Sequence, residues 1–168
     1  MSKINYPVMT LTIREIRPAD NQELANIIRT VFIEFDLPKE NTVFSDKETD
    51  TLYEVFRHPQ SACFVAEEEG ILLGACGVYP TDGLPASCAE LVKFYLSSAS
   101  RGKGIGRDLM YRSIEAATQL GYKQLYLESF PQLGKAVGMY EKAGFKLLDK
   151  PMGNSGHLAT TIWMLKEL

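Results

Sequence analysis

Three alternating glycines among basic residues, Arg101-Gly102-Lys103-Gly104-Ile105-Gly106-Arg107, join a strand-like stretch to a helix-like one. No other segment limits the fold as tightly. Ala89 to Leu96, before the loop, is rich in aromatic and branched residues and reads as a central strand. Gly104 to Leu120, after it, sets Ile105, Leu109, Met110, Ile114 and Ala117 on one helical face and stops at Gly121. Glycine lets the backbone bend sharply and come close to a ligand. The first N–H groups of the helix lack internal acceptors and lie at the positive end of its dipole, where phosphate is a natural partner. Arg101, Lys103 and Arg107 add charge of the right sign. A plain turn has no need of three glycines. A dinucleotide turn needs G-x-G-x-x-G, and counted from Gly102 its last place holds Arg107. The G-x-x-x-x-G-K-[ST] frame fails as well.

Short elements fill the rest. Leu11 to Arg17 alternates as a half-buried strand does and ends at Pro18. Asp20 with Glu23 predicts a capping box on a helix carrying Leu24, Ile27, Ile28, Val31, Phe32 and Phe35 on one face. Leu37 to Ser45 reads as a loop and Asp46 to Phe56 as a short second helix. Ser61 to Glu68 and Ile71 to Tyr79 flank Glu69-Gly70, a hairpin signal. Pro80 to Pro85 is a loop, Gln124 to Ser129 a buried strand, and Gly134 to Ala143 a helix closed by Gly144. Phe145 to Asp149 and Thr160 to Leu165 make two last strands around a Gly-Asn-Ser-Gly loop. The hairpin implies antiparallel pairing. The strand–helix–strand from Ala89 to Ser129 implies a right-handed parallel crossover.

A chain of 168 residues suits one domain, taken as 1–168. Its 45% apolar and 23% charged content is that of an ordinary globular protein. A net charge of −3 leaves no basic footprint for nucleic acid. No apolar run approaches the roughly 20 residues that span a bilayer, and Met1-Ser-Lys-Ile-Asn-Tyr-Pro7 lacks a signal-peptide core. A cytoplasmic protein without a membrane partner is expected. Cys63, Cys76 and Cys88 are odd in number, form no CxxC pair and read as buried, reduced thiols. No His/Cys/Asp cluster has metal-ligand spacing, so no metal is expected. Ser97, Ser98 and Ser100 lack the Gly-x-Ser-x-Gly frame of a hydrolase.

Arg101, Gly104 and Gly106 do match Arg/Gln-x-x-Gly-x-Gly/Ala, and the segment resembles the pyrophosphate loop of GNAT superfamily N-acetyltransferases. Glu90-Leu-Val-Lys-Phe-Tyr-Leu96 resembles that family's fourth strand, and Leu125-Tyr-Leu-Glu-Ser129 its fifth. Tyr140-Glu-Lys-Ala-Gly-Phe145 is similar to its Tyr-Glu-Lys-x-Gly-Phe segment. The resemblance implies the acyl-CoA N-acyltransferase fold. That is a mixed, mostly antiparallel central sheet with helices on both faces and a cleft where parallel strands 4 and 5 splay apart. It further implies acetyl-CoA as co-substrate. Backbone groups of Phe94, Tyr95 and Leu96 would hold the pantetheine arm, and N–H groups of Arg101, Gly102, Lys103, Gly104, Ile105 and Gly106 the pyrophosphate. The chain departs from the family at Leu133, where many members place asparagine seven residues before the tyrosine. Pairing of two copies is a further expectation from the resemblance.

The implied reaction moves an acetyl group to an amine of a small molecule or peptide by direct attack on the thioester. An alkyl amine, with a pKa of about 10.4, arrives protonated at neutral pH, so a general base helps. By the resemblance Glu128 is the first candidate, twelve residues before Tyr140, a spacing found in peptide N-terminal acetyltransferases of the superfamily. Glu90 is its rival. Either glutamate could instead cap a strand or pair with Lys93 or Arg112. The phenol of Tyr140, at about 10, can pass a proton to a thiolate of about 8.5. A backbone N–H of the fourth strand is the expected oxyanion donor. His157 falls in a loop where family members bind the acceptor, and loops 36–60, 80–88 and 150–158 carry its specificity. The alternative is a non-catalytic acyl-CoA-binding module, which shares the fold without the chemistry.

Overall fold

The computed structural model describes residues 10–168. The reading of residues 1–7 against a signal peptide lies outside them. The elements are β1 (Leu11–Glu15), α1 (Asn21–Glu34), a single turn α2 (Leu52–Val55), β2 (Ala62–Glu68), β3 (Ile71–Tyr79) and β4 (Cys88–Leu96). They continue with α3 (Ile105–Gln119), β5 (Gln124–Ser129), α4 (Gly134–Lys142), β6 (Lys146–Leu147) and β7 (Ile162–Glu167). All seven strands form one sheet in the order β1-β2-β3-β4-β5-β7-β6. Among the described residues only the β4–β5 pair is parallel.

Helices cover both faces because both faces are apolar. In β2, Cys63 and Val65 point towards α1 and join Leu24, Ile28 and Phe32. Their neighbours Phe64 and Ala66 point the other way, into a core with Leu109, Met110 and Ala117 of α3. A strand buried on both sides reads as a continuous apolar run, which is how Ala62 to Ala66 reads. At the β2–β3 hairpin Glu69 (φ 52°) and Gly70 (φ 78°) both adopt the left-handed conformation of a tight two-residue turn.

Three local expectations fail. The Asp20 carboxylate does not cap α1; it turns back to accept the Arg17 amide at 2.7 Å and the Arg14 guanidinium at 2.8 and 3.0 Å. A cation within reach holds a carboxylate more strongly than a helix N–H does. The expected helix Asp46 to Phe56 is a 3-10 turn over Lys47–Asp50, a break at Thr51 (φ −135°) and the short α2. The Thr49 hydroxyl donates to the Val43 carbonyl at 2.6 Å, a tertiary bond that ties this stretch outward. The expected strand Phe145 to Asp149 is only the two-residue β6, with one further bond from the Leu148 amide to the Trp163 carbonyl at 2.8 Å.

Two irregularities in the middle of the sheet shape the site. β4 and β5 pair only at Cys88–Gln124, Ala89–Leu125 and Glu90–Tyr126, then run apart. On the other side of β4, Lys93 and Phe94 together face Cys76 alone, between the pairs Gly77–Val92 and Ala75–Tyr95. That is a β-bulge. Lys93 occupies it at φ 56°, a conformation that non-glycine residues seldom adopt.

Candidate active site

The gap between β4 and β5 opens on one side into a cleft of about 500 Å³, at the mouth of α3. Gly104 enters the helix in the left-handed conformation (φ 75°), after Gly102 at φ 77°. The first helix-closing bond runs from the Asp108 amide to the Gly104 carbonyl at 3.1 Å. Among the described residues, the amides of Gly102, Lys103, Gly104, Ile105 and Gly106 have no hydrogen-bonded protein acceptor. The Arg101 amide does have one, the Ser98 carbonyl at 3.3 Å. Gly106 is sterically fixed, because a Cβ there would stand 2.7 Å from Leu96 Cδ1 and 3.4 Å from Phe94 Cζ. Free amides at a dipole's positive end, lining an open cleft, fit a diphosphate.

The basic residues of this loop are already engaged with acids. The Arg101 guanidinium pairs with both oxygens of Glu34, at 2.8 Å for the Nη2 contact, and stacks 5.0 Å above Phe35. Lys103 reaches Glu68 at 3.6 Å, and Arg107 reaches Asp108 at 3.1 Å. Surface pairs of this kind are worth about 1 kcal/mol or less and exchange readily for a stronger anion.

Phe94, Tyr95 and Leu133 are shared with a second cavity, of about 60 Å³, on the other side of the gap. Glu90, Lys93, Glu128, Tyr140 and His157 line it. Glu90 is 5% exposed. Burial, with some repulsion from Glu128, pushes its carboxyl up to about 7, although the Thr81 hydroxyl and the charge of Lys93 oppose the shift. Thr81 donates to Glu90 at 2.5 Å. Glu128, by contrast, is half-buried and doubly held: it accepts the Tyr126 hydroxyl at 2.9 Å and the Ser155 hydroxyl. Neither glutamate forms an ion pair with Lys93 or Arg112, and Arg112 pairs with Glu115 at 3.6 Å.

Tyr140 is 6% exposed, between the rings of Phe94 (5.9 Å) and Phe145 (5.8 Å). Burial raises its phenol well above the usual range, so it is protonated at any physiological pH. Its hydroxyl has no hydrogen-bond partner among the described residues. His157 Nε2 lies 2.7 Å from Asp46 Oδ2, and the His157 amide donates to Ser155 at 3.1 Å. The loop after β6 is thereby tied to the loop after α1 across the cavity. Leu133, at the position of the family asparagine, is part of the apolar wall between cleft and cavity.

Sequence reasoning named Glu90, Glu128, Tyr140 and His157, and the fold sets all four around one cavity. It missed Thr81, Asp46 and the side chains of Lys93 and Tyr95. Lys93 left one trace, as the only charge between Leu91 and Leu96 in an apolar strand. The three cysteines are buried, free thiols. Burial raises Cys88 to about 11 and Cys76 to about 12, and Cys63 further, so none is poised as a nucleophile. Among the described residues no cluster suited to a metal ion is present and no helix is long and apolar enough to cross a membrane.

The model of the acetyltransferase (GNAT) family matches residues 22–145. The chain belongs to the GNAT acetyltransferase family. It is 36% identical over 163 residues to an uncharacterized N-acetyltransferase, YjgM, of Escherichia coli K12, covering 96% of this chain and 95% of that one. A GNAT-family acetyltransferase of Staphylococcus aureus Mu50 superposes with a TM-score of 0.81 at 16% identity, over 95% of this chain and 99% of the other. A GNAT superfamily phosphinothricin acetyltransferase of Sinorhizobium meliloti, solved in complex with acetyl-CoA, is 25% identical with a TM-score of 0.76. It is covered to 89%, against 95% of this chain. The expected GNAT sheet, with helices on both faces and a parallel β4–β5 splay, is the sheet observed.

Proposed function

We propose that this GNAT protein transfers an acetyl group from acetyl-CoA to an amine, with Glu90 as general base and Tyr140 as proton donor to the departing sulphur. Acetyl-CoA supplies an activated acyl thioester. The amides from Gly102 to Gly106 would hold its diphosphate, and the main chain of Phe94, Tyr95 and Leu96 its pantetheine arm. In this reading the Arg101 side chain shifts partners, from Glu34 to phosphate, while its amide stays with Ser98.

Glu90 is the observation that carries the reading. A base works best when its pKa lies near the operating pH, and an ordinary glutamate, at about 4.3, is too weak for an amine. Its value of about 7 narrows that mismatch and lies near the operating pH. Glu128 accepts hydrogen bonds from two hydroxyls, which makes it a positioning residue for the loop that carries His157. Tyr140 holds its proton until a thiolate develops nearby. Beyond Glu90, β4 has no paired residue in β5, and a β4 amide there would be the donor for charge that builds on the acyl oxygen. Free, buried cysteines fit a reducing compartment, and on that ground we place the protein in the cytoplasm.

Acetyl-CoA-dependent thiol release across an amine panel tests the proposal. Tyr140→Phe is expected to lower kcat about 100-fold or more with little change in the KM for acetyl-CoA. Tight coenzyme A binding without acceptor-dependent release on any amine would instead support the acyl-CoA-binding module.

A further inference from the structure

The charged and ring-bearing polar side chains at the small cavity differ in whether they are already engaged, some of them by residues behind its wall. The carboxylates are already provided for: Thr81 donates to Glu90, Tyr126 and Ser155 donate to Glu128, and His157 meets Asp46. Besides the Tyr140 hydroxyl, already given a role towards the departing sulphur, the ammonium of Lys93 and the hydroxyl of Tyr95 have no hydrogen-bonded partner among the described residues. Both line the cavity. Both are donors. An amine alone would use the spare lone pairs of the carboxylates and leave these half-buried donors without a ligand partner.

Lys93 is also unusual in where it stands. The β-bulge holds it in the left-handed region, and strained backbone of this kind clusters at functional sites. Burial lowers its affinity for a proton, and the acids Asp46, Glu90 and Glu48 only partly offset that. Burial raises the phenol of Tyr95, and Glu90 and Asp46 add to the shift. The cavity, at about 60 Å³, has room for roughly four waters, so the group that enters it is compact.

We propose that the acceptor is a small amino acid-like molecule, its amine directed to the carboxylate side of the cavity and its own carboxylate bound by Lys93 and Tyr95. This rests on the reading of the cavity as the acceptor site. Lys93 is then a specificity residue. It selects among amines by what they carry besides nitrogen, and a single fixed charge rejects a substrate lacking its counter-ion more sharply than an apolar pocket rejects a missing methylene.

Matched pairs of amino acids and their decarboxylated amines test this: alanine with ethylamine, phenylalanine with phenethylamine, lysine with cadaverine. Calorimetric titration into the coenzyme A-loaded protein should give at least one pair in which the acid binds about 10-fold tighter or better. Lys93→Met should bring that pair within about 2-fold, and Lys93→Arg should keep the preference. Equal or tighter binding of the amine in every pair overturns the proposal, as does a preference that survives Lys93→Met. If that variant fails to fold, Lys93→Gln takes its place, and the wild-type pairs decide the substrate class without any variant. Selective binding without acetyl transfer would sink the enzyme reading and leave this one standing; transfer to decarboxylated amines alone would do the reverse.

Discussion

The cleft at the mouth of α3 is made of main chain, whereas the cavity beside it is made of side chains drawn from six separate segments. In the cleft the groups that matter are amides in a row, Gly102 to Gly106, and the side chains that matter are the missing ones. In the cavity, Phe32, Val43, Lys93, Glu128, Tyr140 and His157 come from six places in the chain, and His157 is held by Asp46, 111 residues away. The first kind of site recognises a group common to many ligands. On the proposed reading the second kind recognises one ligand, because its wall is assembled from side chains that differ from chain to chain.

The difference can be broken by moving chemistry in one region without affinity in the other. Glu90→Gln should have the largest effect: a fall in kcat of about 100- to 10,000-fold and loss of the pH-rate limb near 7, with the KM for acetyl-CoA nearly constant. A wild-type limb well below pH 6 would remove Glu90 as the base. The same substitution has an opposite effect on stability. With its folded pKa raised to about 7 from an unfolded value of about 4.3, Glu90 binds its proton more tightly in the native state. Stability therefore drops as pH rises through that interval. Glu90→Gln should melt higher than wild type at pH 8, by about 1–3 kcal/mol, and show little gain at pH 4.

Gly106→Ala should act on the cleft alone. Its new methyl would stand 2.7 Å from Leu96 Cδ1 and force that side chain to shift, costing about 1–3 kcal/mol in stability. It should also raise the KM for acetyl-CoA about 10-fold while the KM for the acceptor moves far less. Equal changes in both constants would mean that the two regions are one. The smallest effect is expected at Arg101→Ala, where loss of the half-exposed pair with Glu34 should shift unfolding by less than about 1 kcal/mol, readable by denaturant titration.

The same contrast explains what the residues alone disclosed. The glycine spacing announced the cleft because backbone geometry leaves its mark locally, in residue type. Helices α1 and α3 were legible for a similar reason, since one apolar face is a local pattern. The cavity was half legible. Glu90, Glu128, Tyr140 and His157 were named through resemblance, which put Glu128 ahead of Glu90, the reverse of the order proposed from the structure. The proposed order rests on burial and on hydroxyl donors 9 and 27 residues away in sequence, Thr81 for Glu90 and Ser155 for Glu128. The Lys93 bulge leaves no glycine to mark it. Asp20 misled because its partner, Arg14, is reached only once the chain has turned.

The short β4–β5 seam, three residue pairs long, has a mechanical meaning. Strands β1 to β4 and strands β5 to β7 meet like two boards hinged at one edge, and a molecule lodged in the open wedge becomes a brace as well as a reactant. Loading the thioester should therefore stiffen the protein while it arms it, and each release of product would return the wedge to its looser state.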